Sequence, residues 1–169
     1  MDSARSFIAL SRHFLRDSYM PKIERCLEEL SDEDIWWRPN DRSNSIGNLV
    51  LHLAGNIRQY VVAGAGGAAD IRIRDEEFAA RDVMTKEDLR TMLSETLQEV
   101  DRSLAKLEPA VLGKMITVQG RDLSIFEAIY HAVEHFSMHT GQIIYAAKQM
   151  KDIDLKFYSF GGGAVTRQY

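Results

Sequence analysis

The chain has 169 residues and a formal net charge of −4, with 45% apolar and 27% charged residues. That suits one domain with one sizeable core, and the acidic balance leaves no basic footprint for nucleic acid. No apolar run is long enough to span a bilayer, the first residues lack the uninterrupted apolar stretch of a secretion signal, and one cysteine allows no intrachain disulfide, so the expected setting is a reducing cytoplasm with no membrane partner.

The first helix is expected over about Ser3 to Leu30, where Phe7, Leu10, Phe14 and Ser18 share one face. Beyond Pro21 the apolar phase moves to Cys26, Leu27 and Leu30. A kink or restart is expected there, because proline lacks a backbone donor and crowds the preceding turn. Cys26 reads as a small core residue rather than a nucleophile. Ser31 and the acidic residues after it predict one short helical turn, and Pro39 and Asn40 mark a loop. The second helix is expected from about Ser45 to Ala63, with a stripe of Ile46, Leu49, Val50, Leu53, Ile57 and Tyr60. The connection from Gly64 to Met84 is too long for a minimal helical hairpin and could carry the chain across the end of a bundle.

Thr85 is placed to cap the third helix, whose apolar period runs from Leu89 to Leu107 before Pro109 and Gly113 end it. Weak alternation from Lys114 to Leu123, around Gly120, predicts a short β-hairpin. Ser124 and Glu127 have capping-box spacing, and the fourth helix continues to about Met150. The tail over about 152–169 is expected to be flexible. The whole reads as one all-α domain over 1–169, a four-helix bundle with a short β-hairpin before the last helix.

The fourth helix carries three of the five histidines: His131, His135 and His139. On a helical wheel, Ile125, Ala132, Phe136, Ile143 and Met150 define the core direction. His139 lies within that sector, His135 at its edge, and His131 further toward the polar side. Residues four apart have Cβ atoms about 5–6 Å apart, so two imidazoles at that spacing can converge on one ion. Residues eight apart are separated by about 12 Å along the axis and do not. The pair is therefore His131 with His135 or His135 with His139, and the wheel favours the second. A single histidine on an apolar face is usually a hydrogen-bonded core residue. Two inward rings are harder to explain that way, since both need polar partners.

His52 is the best remaining candidate for a third ligand. It flanks the stripe of the second helix beside Asn48, Gly55, Asn56 and Gln59, a small polar flank suited to the wall of a wet cavity. His13 projects to the polar side of the first helix and reads as a surface residue. Three neutral imidazoles leave a coordination position open, as in catalytic sites, and zinc or nickel suits all-nitrogen ligation. The chain lacks the paired Glu-x-x-His helices of a di-iron bundle and the H-E-x-x-H protease motif.

"HFSMHTGQ", with His135, His139, Gly141 and Gln142, and "SNSIGNLVLHLAGNIRQY", with His52, together resemble the DinB/YfiT-like metalloenzyme superfamily. "WWRPN", "RDEEFAAR" and "ITVQGRDLS" are similar to one subgroup of it, and the resemblance covers about Phe7 to Lys148. In that superfamily one second-helix histidine and an H-x-x-x-H pair on the last helix bind the metal. The resemblance thus implies His52, His135 and His139 as ligands of a divalent ion. It also implies a four-helix bundle, often a homodimer. Several members are S-transferases using bacillithiol, mycothiol or glutathione.

The expected function is therefore a metal-dependent S-transferase acting on a small electrophilic substrate, with a low-molecular-weight thiol as cosubstrate. A metal-dependent hydrolase and a non-catalytic metal-binding stress-response protein are the alternatives. His131 is an additional histidine, read as an edge residue, with a supporting or proton-relay role as the other reading. Thr140 stands where some relatives carry an arginine, which removes any role tied to that charge. No residue reads as a separate general base.

Overall fold

The computed structural model describes the backbone of residues 2–161 and 164–167, and side chains through residue 158. The first bundle segment is α1 (Ser3–His13), a π-helical turn (Phe14–Tyr19) and α2 (Met20–Glu28) in continuous succession. Pro21 sits in the first turn of α2, so its missing N–H falls where the wider π turn has already changed the hydrogen-bond register. The phase shift expected at Pro21 therefore begins earlier, at Phe14. The buried positions are Ile8, Ser11, Leu15 and Ser18, while Leu10, expected inward, is exposed.

Ser31 caps the short α3 (Asp32–Trp36) in a capping box with Asp34. The second bundle segment is α4 (Ile46–Ile57), prolonged by another π-helical stretch (Arg58–Ala65). Ser45 and Asn48 form its capping box. The connection does not cross the end of the bundle. It folds back along α4 and forms the short α5 (Arg74–Ala79), which packs on α4. Asn48 fastens it there, donating from Nδ2 to the carbonyls of Glu77 (2.9 Å) and Ala80 (3.0 Å) at the end of α5. These carbonyls have no partner within so short a helix, so a buried amide is the economical donor.

Thr85 caps α6 (Lys86–Lys106), and Ser124 caps α7 (Ile125–Lys151). Between them lies the expected hairpin, β1 (Met115–Val118) paired antiparallel with β2 (Arg121–Ser124). Gln119 and Gly120 both take positive φ, as a tight two-residue hairpin turn requires. Val118 of this hairpin presses on the π-helical stretch after α4, where a Cβ on Gly64 would come within 2.9 Å of its Cγ2. A second antiparallel hairpin follows α7, β3 (Tyr158–Gly161) with β4 (Ala164–Arg167). The expectation of a flexible tail falls partly on 162, 163, 168 and 169, which lie outside the described residues.

α4 packs against α6 and α7, and α2 and its π turn close the bundle against α7. Ile23, Leu27, Leu53, Ile57, Leu93 and Phe136 are among its fully buried side chains. Cys26 belongs to this core, and burial pushes its thiol up to about 12. Among the described residues no helix is long and apolar enough to cross a membrane.

Trp36 joins α3 to the bundle. Its indole N–H donates to the Met84 carbonyl (2.9 Å), and a Cβ on Gly47 would meet its ring carbons at 2.9–3.0 Å. Gly47→Ala should therefore force the ring off its seat and cost about 1–3 kcal/mol, the usual penalty of overpacking. Urea unfolding followed by tryptophan emission checks this; an unchanged midpoint would contradict the packing.

Candidate metal centre

The bundle sets α4 beside α7, and three imidazoles meet between them. His52 comes from the middle of α4 and is buried; His135 and His139 come from successive turns of α7 and are half-buried. Nε2 of His135 lies 3.1 Å from Nε2 of His52 and 3.1 Å from Nε2 of His139. One ligand atom from each of the three falls within 4.8 Å of the others, so the group could hold a metal ion. Two nitrogens about 2.0–2.1 Å from a tetrahedral ion lie about 3.3–3.4 Å from each other. The observed spacing is close to that.

The outer nitrogens point to the same orientation of lone pairs. His52 Nδ1 is 2.9 Å from Glu77 Oε2, and His139 Nδ1 is 2.7 Å from Gln142 Oε1. A carboxylate or amide oxygen only accepts, so each Nδ1 carries the proton and each Nε2 turns a lone pair toward the shared point. His135 Nδ1 is buried without a hydrogen-bond partner among the described residues. Burial, then the neighbouring His139 and His52, pushes His135 down to about 3. Burial also lowers His139, against the Gln142 hydrogen bond, and it lowers His131. These rings stay neutral near pH 7, the state in which imidazole binds metal.

His131 does not join the group. Its ring lies on Tyr60 (centroids 4.5 Å) and 5.5 Å from the His135 ring. His13 is exposed and pairs with Asp17 at 3.2 Å. Thr140 is buried and donates to the Phe136 carbonyl of its own helix (2.8 Å).

Gly55 and Gln59 of the His52 flank line a cleft, whereas Asn48, Asn56 and His52 itself are buried, and α5 and the connection roof His52. Glu77 is buried there and bound by Arg72 through two hydrogen bonds, Nε to Oε1 (2.7 Å) and Nη2 to Oε2 (2.8 Å). The Arg72 side chain is 4% exposed. Its Nη1 donates to Gln59 Oε1 (2.8 Å), which also accepts from Gln119 of the hairpin turn (2.7 Å). Burial alone would raise the Glu77 carboxyl, but hydrogen bonds from Arg72 and His52 hold it below the usual range.

Gly55, one turn after His52, makes this approach possible. A Cβ there would stand 2.0 Å from Glu77 Oε1 and 3.0 Å from Arg72 Nε. Phe78 completes the roof, its ring centroid 4.7 Å from that of His52. Periodicity could not single out Arg72 or Glu77, which lie in a connection without a long repeat. The sequence hint is "RDEEFAAR", a stretch of the family resemblance that contains Glu77 but gives it no role and does not include Arg72. A cleft of about 700 Å3 lies between α4, the connection and α6, with Gly55, Gln59, Arg72 and Glu77 in its wall and no histidine.

Helical bundles with this arrangement of segments are known from DinB-like proteins. A Bacillus subtilis DinB-like protein, YjoA, is 19% identical over 86% of this chain and 91% of its own, with a TM-score of 0.64. A Bacillus cereus DinB-like protein is 14% identical over 78% and 85%, with a TM-score of 0.63. A variant of mycothiol-dependent maleylpyruvate isomerase is 14% identical over 83% of this chain and 60% of its own, with a TM-score of 0.64. These likenesses make the fold DinB-like. The chain itself belongs to the family described as a protein of unknown function, DUF1572, which matches residues 2–164. No curated protein matches it.

Two measurements follow. Metal content after zinc loading, read by elemental analysis, should drop sharply for His135→Ala, stay unchanged for His13→Ala, and change little for His131→Ala. Equal content in the first two variants would contradict the ligand set. The second concerns chelator-treated protein. With His135 near 3 when folded and near the usual 6.5 when unfolded, the stability it contributes is complete above 6.5. It is lost as the pH falls below that value, because only the unfolded chain takes up the proton. Urea midpoints should therefore fall from about pH 7.5 to about pH 5.5, and His135→Gln should flatten the fall.

Proposed function

We propose that the protein is a divalent-metal-dependent enzyme that joins a low-molecular-weight thiol to a small electrophile. His52, His135 and His139 would hold the ion, zinc or nickel being suited to three imidazoles. The observation that carries this reading is the convergence of three Nε2 atoms from two helices at 3.1 Å steps. Three protein ligands leave room for an incoming group, the pattern of catalytic rather than closed structural sites. When bound, the ion supplies positive charge that favours thiolate over thiol near neutral pH. A thiol is favoured over water because one fold neighbour is a mycothiol-dependent isomerase.

The chain's own residues bind and orient. Glu77 and Gln142 accept the Nδ1 protons of His52 and His139, so that both Nε2 lone pairs face inward. Phe78 and the α5 roof shield His52 from solvent. Glu77 does not serve as a free base, since both its oxygens are engaged by Arg72 and His52.

Zinc- or nickel-loaded protein, supplied with bacillithiol, mycothiol or glutathione and an activated electrophile, should consume thiol faster than a chelated control. His135→Ala should abolish the difference. Thiol consumption equal to the control across the panel would end the transferase reading. Ion-dependent turnover indifferent to thiol would replace it with hydrolysis.

A further inference from the structure

The geometry points to Glu77, clamped by Arg72, as the positioning residue that holds His52 in its Nδ1-protonated form with Nε2 turned to the cluster. A free imidazole exchanges its proton between two nitrogens, and a metal ligand needs the correct one free. Two groups reach the outer nitrogen of His52, and the nearer is an acceptor: Glu77 Oε2 at 2.9 Å. Arg72 Nη2 also comes within 3.1 Å of His52 Nδ1, but guanidinium only donates, so this contact cannot satisfy the Nδ1–H. Arg72 acts on the carboxylate instead. Its bidentate grip fixes the plane of Glu77, and Gln59 fixes Arg72.

Three further features place the carboxylate. Asn48 holds the end of α5, including the carbonyl of Glu77 itself. Gly55 leaves the space the carboxylate fills. Gln59 ties the same network to the hairpin turn through Gln119. The groups governing His52 thus come largely from a connection 20–25 residues downstream rather than from either ligand-bearing helix. The effect on metal affinity rests on the metal-centre reading above; the tautomer of His52 does not.

The test uses full-length protein with 15N-labelled histidine. Ring-nitrogen NMR of the chelated wild type should show His52 protonated at Nδ1, with the signal assigned by its loss in His52→Gln. Glu77→Ala should move the proton toward Nε2. Glu77→Gln, whose amide oxygen can still accept, should restore Nδ1–H. Glu76→Ala, at the exposed neighbour, should change nothing. Gly55→Ala repeats the test without touching Glu77, because its β-carbon displaces the carboxylate; it stands in if Glu77→Ala fails to fold.

Zinc competition against a chromogenic chelator should then show Glu77→Ala weakened by about 10–100-fold, with Glu77→Gln recovering part of the loss. A His52 that keeps Nδ1–H and full affinity in both Glu77→Ala and Gly55→Ala overturns the assignment. A wild type that takes up no zinc, yet loses its His52 tautomer in these variants, ends the metal reading and upholds the positioning role.

Discussion

Three ring nitrogens facing one another inside a bundle make a demand that the apolar core cannot meet. Neutral imidazole offers one acceptor and one donor. If His135 carried its proton on Nε2, that proton could serve His52 or His139 well, and the other lone pair would go unanswered. Its Nδ1 would then be a second unanswered acceptor, since no described group reaches it. Charging the cluster with protons is opposed by burial, which pushes His135 down to about 3. A divalent cation answers three lone pairs at once. That imbalance, more than the mere presence of histidines, gives the site its chemical direction.

Much of the surrounding structure reads as a response to that demand. The rings are held from outside, by acceptors at Nδ1 of His52 and of His139. Gln142 does this locally, three residues along the same helix. Glu77 does it at long range and needs a bound arginine, a capping asparagine and a glycine to arrive. A carboxylate buried against a histidine is costly unless its remaining lone pairs are filled, and Arg72 fills them. The same pairing keeps Glu77 ionised and therefore purely an acceptor.

The bundle was legible because apolar period and capping chemistry agree, as at Thr85 and Ser124, which cap α6 and α7 as expected. His135 and His139 were legible because one helical turn separates them and the wheel turns them inward. His52 stands out as the remaining histidine on a small polar flank of the second helix, and the family resemblance then implies it as a ligand; no local pattern alone tells which residue of α4 will face α7. Leu10 was misread for a definable reason: the wheel is anchored on Phe7 and Phe14, whereas the regular α1 turns Ile8 and Ser11 inward and leaves Leu10 outside that face. Arg72 and Glu77 were illegible because their meaning is tertiary. Charged residues in an irregular connection look solvated until α5 is laid onto α4.

The roof has two sides, and this limits how small molecules reach the site. The cleft of about 700 Å3 is walled by Leu51 and Ala54 of α4, Ile71, Ile73 and Val83 of the connection and Met92 of α6, and Arg72 and Glu77 also line it. A molecule there contacts the brace and not the ring nitrogens, so a reactant that must meet the ion needs another approach. Arg72 is common to the cleft and the brace, since it lines the one and grips the Glu77 carboxylate in the other. By linkage, an ion that draws His52 into place favours the docked connection to the same extent. His52 and the connection thus meet at the Glu77 carboxylate, which Arg72 grips, while Asn48 and Gln59 tie the same connection to the second bundle segment.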